Sequence, residues 1–192
     1  MNELITLRFR AILKKYDIGN LIDEKYFDNG VYNYSIRLGY YIPPPAFALF
    51  SPLEILHKLG IHTVNGNIDI SRTSLKSLKG SPRIVNGTFD VSSTKITTFE
   101  HSPKYVSGDF ICNFNDITSF RGSPRKIGNH FSVFGNKLTS FEYAPEQIHG
   151  DFNIGNNPMA VVDVDPETGD TDLRFRVEIN KYNLMIMGKI II

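Results

Sequence analysis

Cysteine is almost missing from this chain: the single Cys112 has no pairing partner, which excludes an internal disulfide framework. No charge of either sign is in excess. Its 21 basic and 20 acidic residues give a net charge of +1, so no global field points to nucleic acid or to an anionic membrane. Long apolar runs are lacking too, and the tract from Met185 to Ile192 is far too short to span a bilayer. The opening stretch MNELITLRFRAILKKYDI has no continuous apolar segment and no small-residue cleavage site. No signal peptide is expected, and the chain is expected to be soluble and intracellular. The common signatures of chemistry are absent: no phosphate-binding glycine loop, no G-x-G-x-x-G, no nucleophile elbow and no H-E-x-x-H. The five histidines (His57, His62, His101, His130, His149) have no metal-ligand spacing. Neither an enzymatic activity, a metal nor a cofactor is expected.

What the chain does have is a period of 21 residues. Ile68, Phe89, Phe110, Phe131 and Phe152 recur in the middle of five units. Four further apolar ladders keep the same spacing. They are Val64/Val85/Val106/Ile127/Ile148, Ile70/Val91/Cys112/Val133/Ile154, Leu75/Ile96/Ile117/Leu138/Met159 and Leu78/Phe99/Phe120/Phe141/Val162. Prolines follow at 82, 103, 124 and 145. A unit of this length cannot bury its apolar face alone, so neighbours must stack into one continuous core. Cys112 is a ladder member and reads as a small buried hydrophobe.

Within the unit 106–126, alternation places Phe110 and Cys112 inward and Asp109 and Ile111 outward along a short strand. The column Thr73/Thr94/Asn115/Asn136/Asn157 follows, and a polar residue in a buried corner must bond the backbone of its turn. Gly66, Gly87, Gly108 and Gly150, with Gly128 one position early, precede the strands. They are expected to form a bulge or a left-handed corner.

The string Phe110-x-Cys112-x-x-Asn115-x-Ile117 resembles the second half of the leucine-rich repeat. Over residues 55–158 the repeats are similar to short leucine-rich-like repeats of bacteriophage proteins, and to the proline-containing repeats of bacterial leucine-rich-repeat effectors. The resemblance implies a solenoid with one strand per turn. It further implies a phage-encoded protein in the host cytoplasm or the virion, with a host factor or a virion subunit as its protein partner. The effector likeness stops at the repeat: no additional catalytic domain is expected, and a lone ladder cysteine argues against ubiquitin-ligase chemistry.

The fold class expected is therefore mainly β: a leucine-rich-repeat-like solenoid of five 21-residue turns, with an α/β N-terminal cap and a C-terminal β-hairpin cap. Residues 1–50 read as a helix (2–16) and a hairpin turning at Asp28-Asn29-Gly30. Residues 51–63 are a capping helix, with a Ser51/Glu54 capping box and a stop at Gly60. The solenoid covers 64–160. The C-terminal cap covers 161–192, with strands at 161–164 and 173–177. An EF-hand loop starting at Asp163 would need Gly at 168 and Glu at 174; Thr168 and Arg174 stand there instead, so the acidic cluster reads as a hairpin.

Two surfaces are candidates for function. On the outward strand face, Ile111 and Phe134 break a small polar surface, with Asp109, His130 and Phe114 beside them. These five residues are the candidate partner-binding set. The alternative is that Phe114 or Phe134 folds over the strand edge as internal packing. On the opposing side, Lys79, Arg83, Lys104, Arg121, Arg125 and Lys126 form a ridge. It is a candidate anion site, and the basis of an alternative reading as a nucleic-acid-binding accessory protein. Glu100, Glu142 and Glu146 interrupt it, and no aromatic residues interleave for base stacking. The expected partner is a protein, with no membrane contact.

Overall fold

A computed structural model describes residues 3–16, 22–37, 51–160 and 181–192. The chain is mainly β, with two sheets of two-residue strands in regular order, an arrangement that fits a repeat solenoid. Helix α1 spans Glu3–Tyr16. Strands β1 (Phe27–Asp28) and β2 (Val31–Tyr32) form an antiparallel hairpin around Asn29-Gly30, both with positive φ. Then come β3 (Ile36–Arg37), helix α2 (Pro52–Lys58), and two strands for each 21-residue unit. These are β4 (Thr63–Val64) and β5 (Ile68–Asp69), β6 (Ile84–Val85) and β7 (Phe89–Asp90), β8 (Tyr105–Val106) and β9 (Phe110–Ile111), β10 (Lys126–Ile127) and β11 (Phe131–Ser132), and β12 (Gln147–Ile148) and β13 (Phe152–Asn153). The last pair is β14 (Met185–Ile186) and β15 (Ile190–Ile191).

The expectation of one strand per turn is thus corrected to two, because the chain bends at the glycine between them and each arm pairs separately. One sheet runs β1-β2-β4-β6-β8-β10-β12-β14 and the other β15-β13-β11-β9-β7-β5-β3. Between residues 63 and 153 every pairing is parallel and aligns positions 21 apart, such as Phe110 with Phe131.

The stack is longer than the repeat. Tyr32 pairs with Val64 and Ile36 with Ile68, a spacing of 32 residues. Ile148 pairs with Ile186 and Phe152 with Ile190, a spacing of 38. Among the described residues seven coils therefore stand where the sequence announces five. Residues 31–37 and 185–191 lie in register with the repeats rather than apart from them. The strands expected at 161–164 and 173–177 and the acidic cluster fall outside the described residues.

The core follows the ladders. The columns led by Val64, Ile68 and Ile70 are buried throughout, and so are Leu78, Phe99, Phe120 and Phe141. Two phenylalanine columns dominate it. Phe110, Phe131 and Phe152 stack at 5.4 and 5.1 Å between ring centroids, and Phe99 stacks on Phe120 at 6.2 Å. The columns meet edge-on, as in Phe120 against Phe152 at 5.8 Å and 61°. Such contacts add about 0.5–1.5 kcal/mol each beyond area burial.

The asparagine column closes each corner as expected. Asn136 Nδ2 donates to the carbonyls of Cys112 and Val133 (both 2.9 Å), and its Oδ1 accepts from Ile117 N (3.1 Å). Asn157 repeats this one coil on, with Val133, Ile154 and Leu138 N. Asn115 differs, because its Oδ1 accepts from the backbone N and hydroxyl of Thr94 in the preceding coil.

Two local expectations are corrected. Gly66, Gly87, Gly108, Gly128 and Gly150 do not have positive φ. They are needed because coils touch there: a Cβ on Gly108 would lie 2.7 Å from the Gly87 carbonyl carbon. Left-handed residues occupy other columns, Arg72/Ser93/Phe114/Gly135/Asn156 and Gly80/His101/Gly122/Tyr143, two corners per coil. The capping box at Ser51 does not form. Ser51 makes no side-chain cap bond and its buried Oγ finds no partner among the described residues, while Glu54 lies 3.6 Å from Lys79. Gly60, at φ +76°, follows the C-cap of α2.

Candidate functional site

The outward face of the second sheet is stitched from coil to coil by its own side chains. In the position before each strand, a side chain accepts the backbone N–H of the same position one coil on. The chain of bonds runs Ser35 Oγ to Asn67 N (3.0 Å), Asn67 Oδ1 to Thr88 N (2.8 Å) and Thr88 Oγ1 to Asp109 N (3.4 Å). It continues from Asp109 Oδ1 to His130 N (3.1 Å), His130 Nδ1 to Asp151 N (2.9 Å) and Asp151 Oδ1 to Lys189 N (2.8 Å). Each bond satisfies an amide that the sheet itself leaves over. Asp109 and His130 therefore each hold the backbone of the next coil. His130 Nδ1 accepts the Asp151 N–H, and the Asp151 carboxylate lies 3.6 Å from the same nitrogen.

Beside this ladder stand the apolar candidates. Ile111 is half-buried in β9, in register with Asp90 and Ser132. Phe134 is half-buried too, and its N–H donates to Asn113 Oδ1 at 3.0 Å. Phe114 has φ 54° and is 58% exposed. The two rings meet edge to face at 5.3 Å and 74°. Each also lies over a glycine of the following coil: a Cβ on Gly135 would come within 2.9 Å of the Phe114 ring, and one on Gly155 within 2.9 Å of Phe134. The rings thus pack against each other and against the next coil's glycines, while Phe114 stays largely exposed. A shallow groove of about 530 Å³ adjoins them, lined by Gly135, Asp116, Lys137 and Asn156 among others.

On the other side of the stack the basic residues divide. Lys79, Arg83, Lys104 and Arg125 line one groove of about 1020 Å³, together with Lys58, His57 and His101. Arg121 and Lys126 do not line it. The groove exists because α2 packs its first turn on the left-handed Gly80, where a Cβ would sit 2.5 Å from the Leu53 carbonyl oxygen. That contact brings Lys58 and His57 to the repeats, and no sequence spacing announces it. His101 belongs to the left-handed column that a 21-residue alignment exposes only when φ is known. Among the described residues Glu54 is the one carboxylate in the lining, and Arg125 is bound to Glu146 at 2.6 and 2.8 Å.

Cys112 offers no nucleophile. Burial raises its thiol far above the ordinary range, against a smaller opposing effect of the Asn115 amide 3.6 Å from its sulfur. No cluster of three or more His, Cys, Asp or Glu that would hold a metal ion is found among the described residues, and no helix among them is long and apolar enough to cross a membrane. No family model, curated protein or solved structure matches this chain.

Proposed function

We propose that this chain is a non-enzymatic protein-binding module, a leucine-rich-repeat-like solenoid whose Phe114/Phe134 face carries recognition. The observation that carries this reading is Phe114. Its column elsewhere holds Arg72, Ser93, Gly135 and Asn156, residues that leave little apolar surface at a left-handed corner. An aromatic residue there costs on the order of 1–3 kcal/mol of backbone strain. With its ring 58% exposed, the residue recovers only part of that cost through folding. An edge-to-face pair with Phe114 exposed and Phe134 half-buried, flanked by the half-buried Ile111 and a polar groove, has the composition of an interface anchor with a hydrogen-bonding rim. The resemblance of the repeats to those of phage proteins favours a host factor or a virion subunit as the partner.

The test is a comparative affinity capture from bacterial lysate and from phage particles. The double substitution Phe114→Asn, Phe134→Asn keeps a residue tolerant of the left-handed corner and removes both rings. It is expected to lose the captured protein while melting within a few degrees of the parent. A triple reversal at Arg121, Arg125 and Lys126 is expected to retain it. If the charge-reversed variant loses the partner and the ring variant keeps it, recognition lies on the basic side and this reading is wrong.

A further inference from the structure

We infer that the groove between α2 and the proline corners is a binding site for compact oligophosphates, anions with several phosphates and no base. The inference is independent of the aromatic face. Arg83, Lys104 and Arg125 occupy one column, tied rung to rung by Lys104 N to Arg83 O (2.8 Å) and Arg125 N to Lys104 O (3.2 Å). Coils stack about 4.8 Å apart, so three cations stand within roughly 10 Å. Like charges at that spacing repel. Arg125 is relieved by Glu146, but Arg83 and Lys104 have no carboxylate partner among the described residues. Lys79 enters the same groove, held by Glu54 at only 3.6 Å.

A bound polyanion relieves this repulsion at several points at once, and the arginine forks match phosphate oxygens in pairs. The class of ligand follows from the side chains that line the groove: among the described residues they are mainly cationic or polar, with no aromatic one for a base to stack on and no aliphatic one to cover a ligand's apolar part. Inorganic oligophosphate and inositol polyphosphate share the chemistry the site can recognise.

Titration calorimetry on the full chain at low ionic strength tests this with inorganic tripolyphosphate and inositol hexakisphosphate, against orthophosphate and an oligothymidylate. At least one of the two compact anions is expected to bind ten times or more tighter than orthophosphate and than the oligothymidylate per molecule; the tighter one identifies the source. Arg83→Glu with Lys104→Glu is expected to weaken that binding at least tenfold with the melting temperature unchanged. Glu54→Gln, which removes the groove's carboxylate, is expected to tighten it. Absence of binding, binding indifferent to the double reversal, or tighter binding of the oligothymidylate would each overturn the proposal, the last in favour of single-stranded nucleic acid. Should the double reversal fail to fold, the direction of change in Glu54→Gln decides: weaker or unchanged binding refutes the site.

Discussion

Replacing Gly108 by alanine separates two explanations of the glycine column by the sign of its effect. Gly108 does not have positive φ, so its backbone accepts an L-residue. On local grounds alone, Gly108→Ala would stabilise the protein by about 0.4–1 kcal/mol through the unfolded chain. The added Cβ, however, would lie 2.7 Å from the Gly87 carbonyl carbon and 2.9 Å from both Gly87 O and Thr88 N. Carbon contacts settle near 3.5–4.0 Å, so the two coils must part by roughly 1 Å. That parting weakens the Gly108 N to Gly87 O bond, now 3.0 Å, which contributes about 1 kcal/mol. Overpacking adds about 1–3 kcal/mol, and a net loss of about 2–3 kcal/mol is expected. In urea, with a slope of about 1–3 kcal/mol per molar, the midpoint falls by roughly 1–2 M. Gly60→Ala is the control for the other mechanism: φ is +76° and no atom of the described residues lies within 4 Å, so left-handed strain applies, about 1–2 kcal/mol. A Gly108→Ala variant as stable as the parent, or more so, refutes close coil contact as the reason for glycine.

Three further outcomes follow from the same structure. Asn136→Ala orphans the buried Ile117 N and takes one of two amide donors from each of the Cys112 and Val133 carbonyls, and equilibrium unfolding is expected to show a loss of about 1–3 kcal/mol. The Cys112 thiol is raised in the folded state, so its contribution is fully present below the unfolded thiol's value, about 8.5, and is lost as pH rises above it. Stability is expected to fall by about 1.4 kcal/mol per pH unit more in the parent than in Cys112→Val, as read from urea midpoints at increasing pH. Ser51→Ala is expected to be neutral or stabilising, against the usual loss of about 1 kcal/mol at an N-cap, because Ser51 Oγ is buried without a partner among the described residues; thermal melting checks it.

The ladders were legible because a coil that repeats buries the same position each time: Phe89, Phe110 and Phe131 could be placed inside from spacing alone. The asparagine column was legible for the same reason, since a polar side chain at a buried corner needs backbone partners. The hairpin at Asn29-Gly30 carried its turn chemistry openly. The outer coils were not legible. Ile36 and Ile190 pair at spacings of 32 and 38, and a fixed period cannot find a coil of another length. The second strand of each coil is only two residues, such as Ile84–Val85, too short for alternation to register. Of the sites, the aromatic pair was visible as a break in a polar face. The stitching by Asp109 and His130 was not, because a hydrogen bond to the next coil's backbone depends on the bend at the glycine. The basic groove was half visible. Arg83, Lys104 and Arg125 share a column, whereas Lys58 and His57 arrive through the packing of α2 on Gly80, a contact with no local signature.

Residues 31–37 and 185–191 extend the sheets of the repeats at their two ends. Nuclear Overhauser contacts between methyl and ring protons test this extension most directly. Contacts of Ile36 with Ile68 and of Phe152 with Ile190 are expected alongside those of Phe89 with Phe110 and Phe110 with Phe131. Contacts at the 21-residue spacing with none at the 32- and 38-residue pairs would leave five coils rather than seven and contradict it.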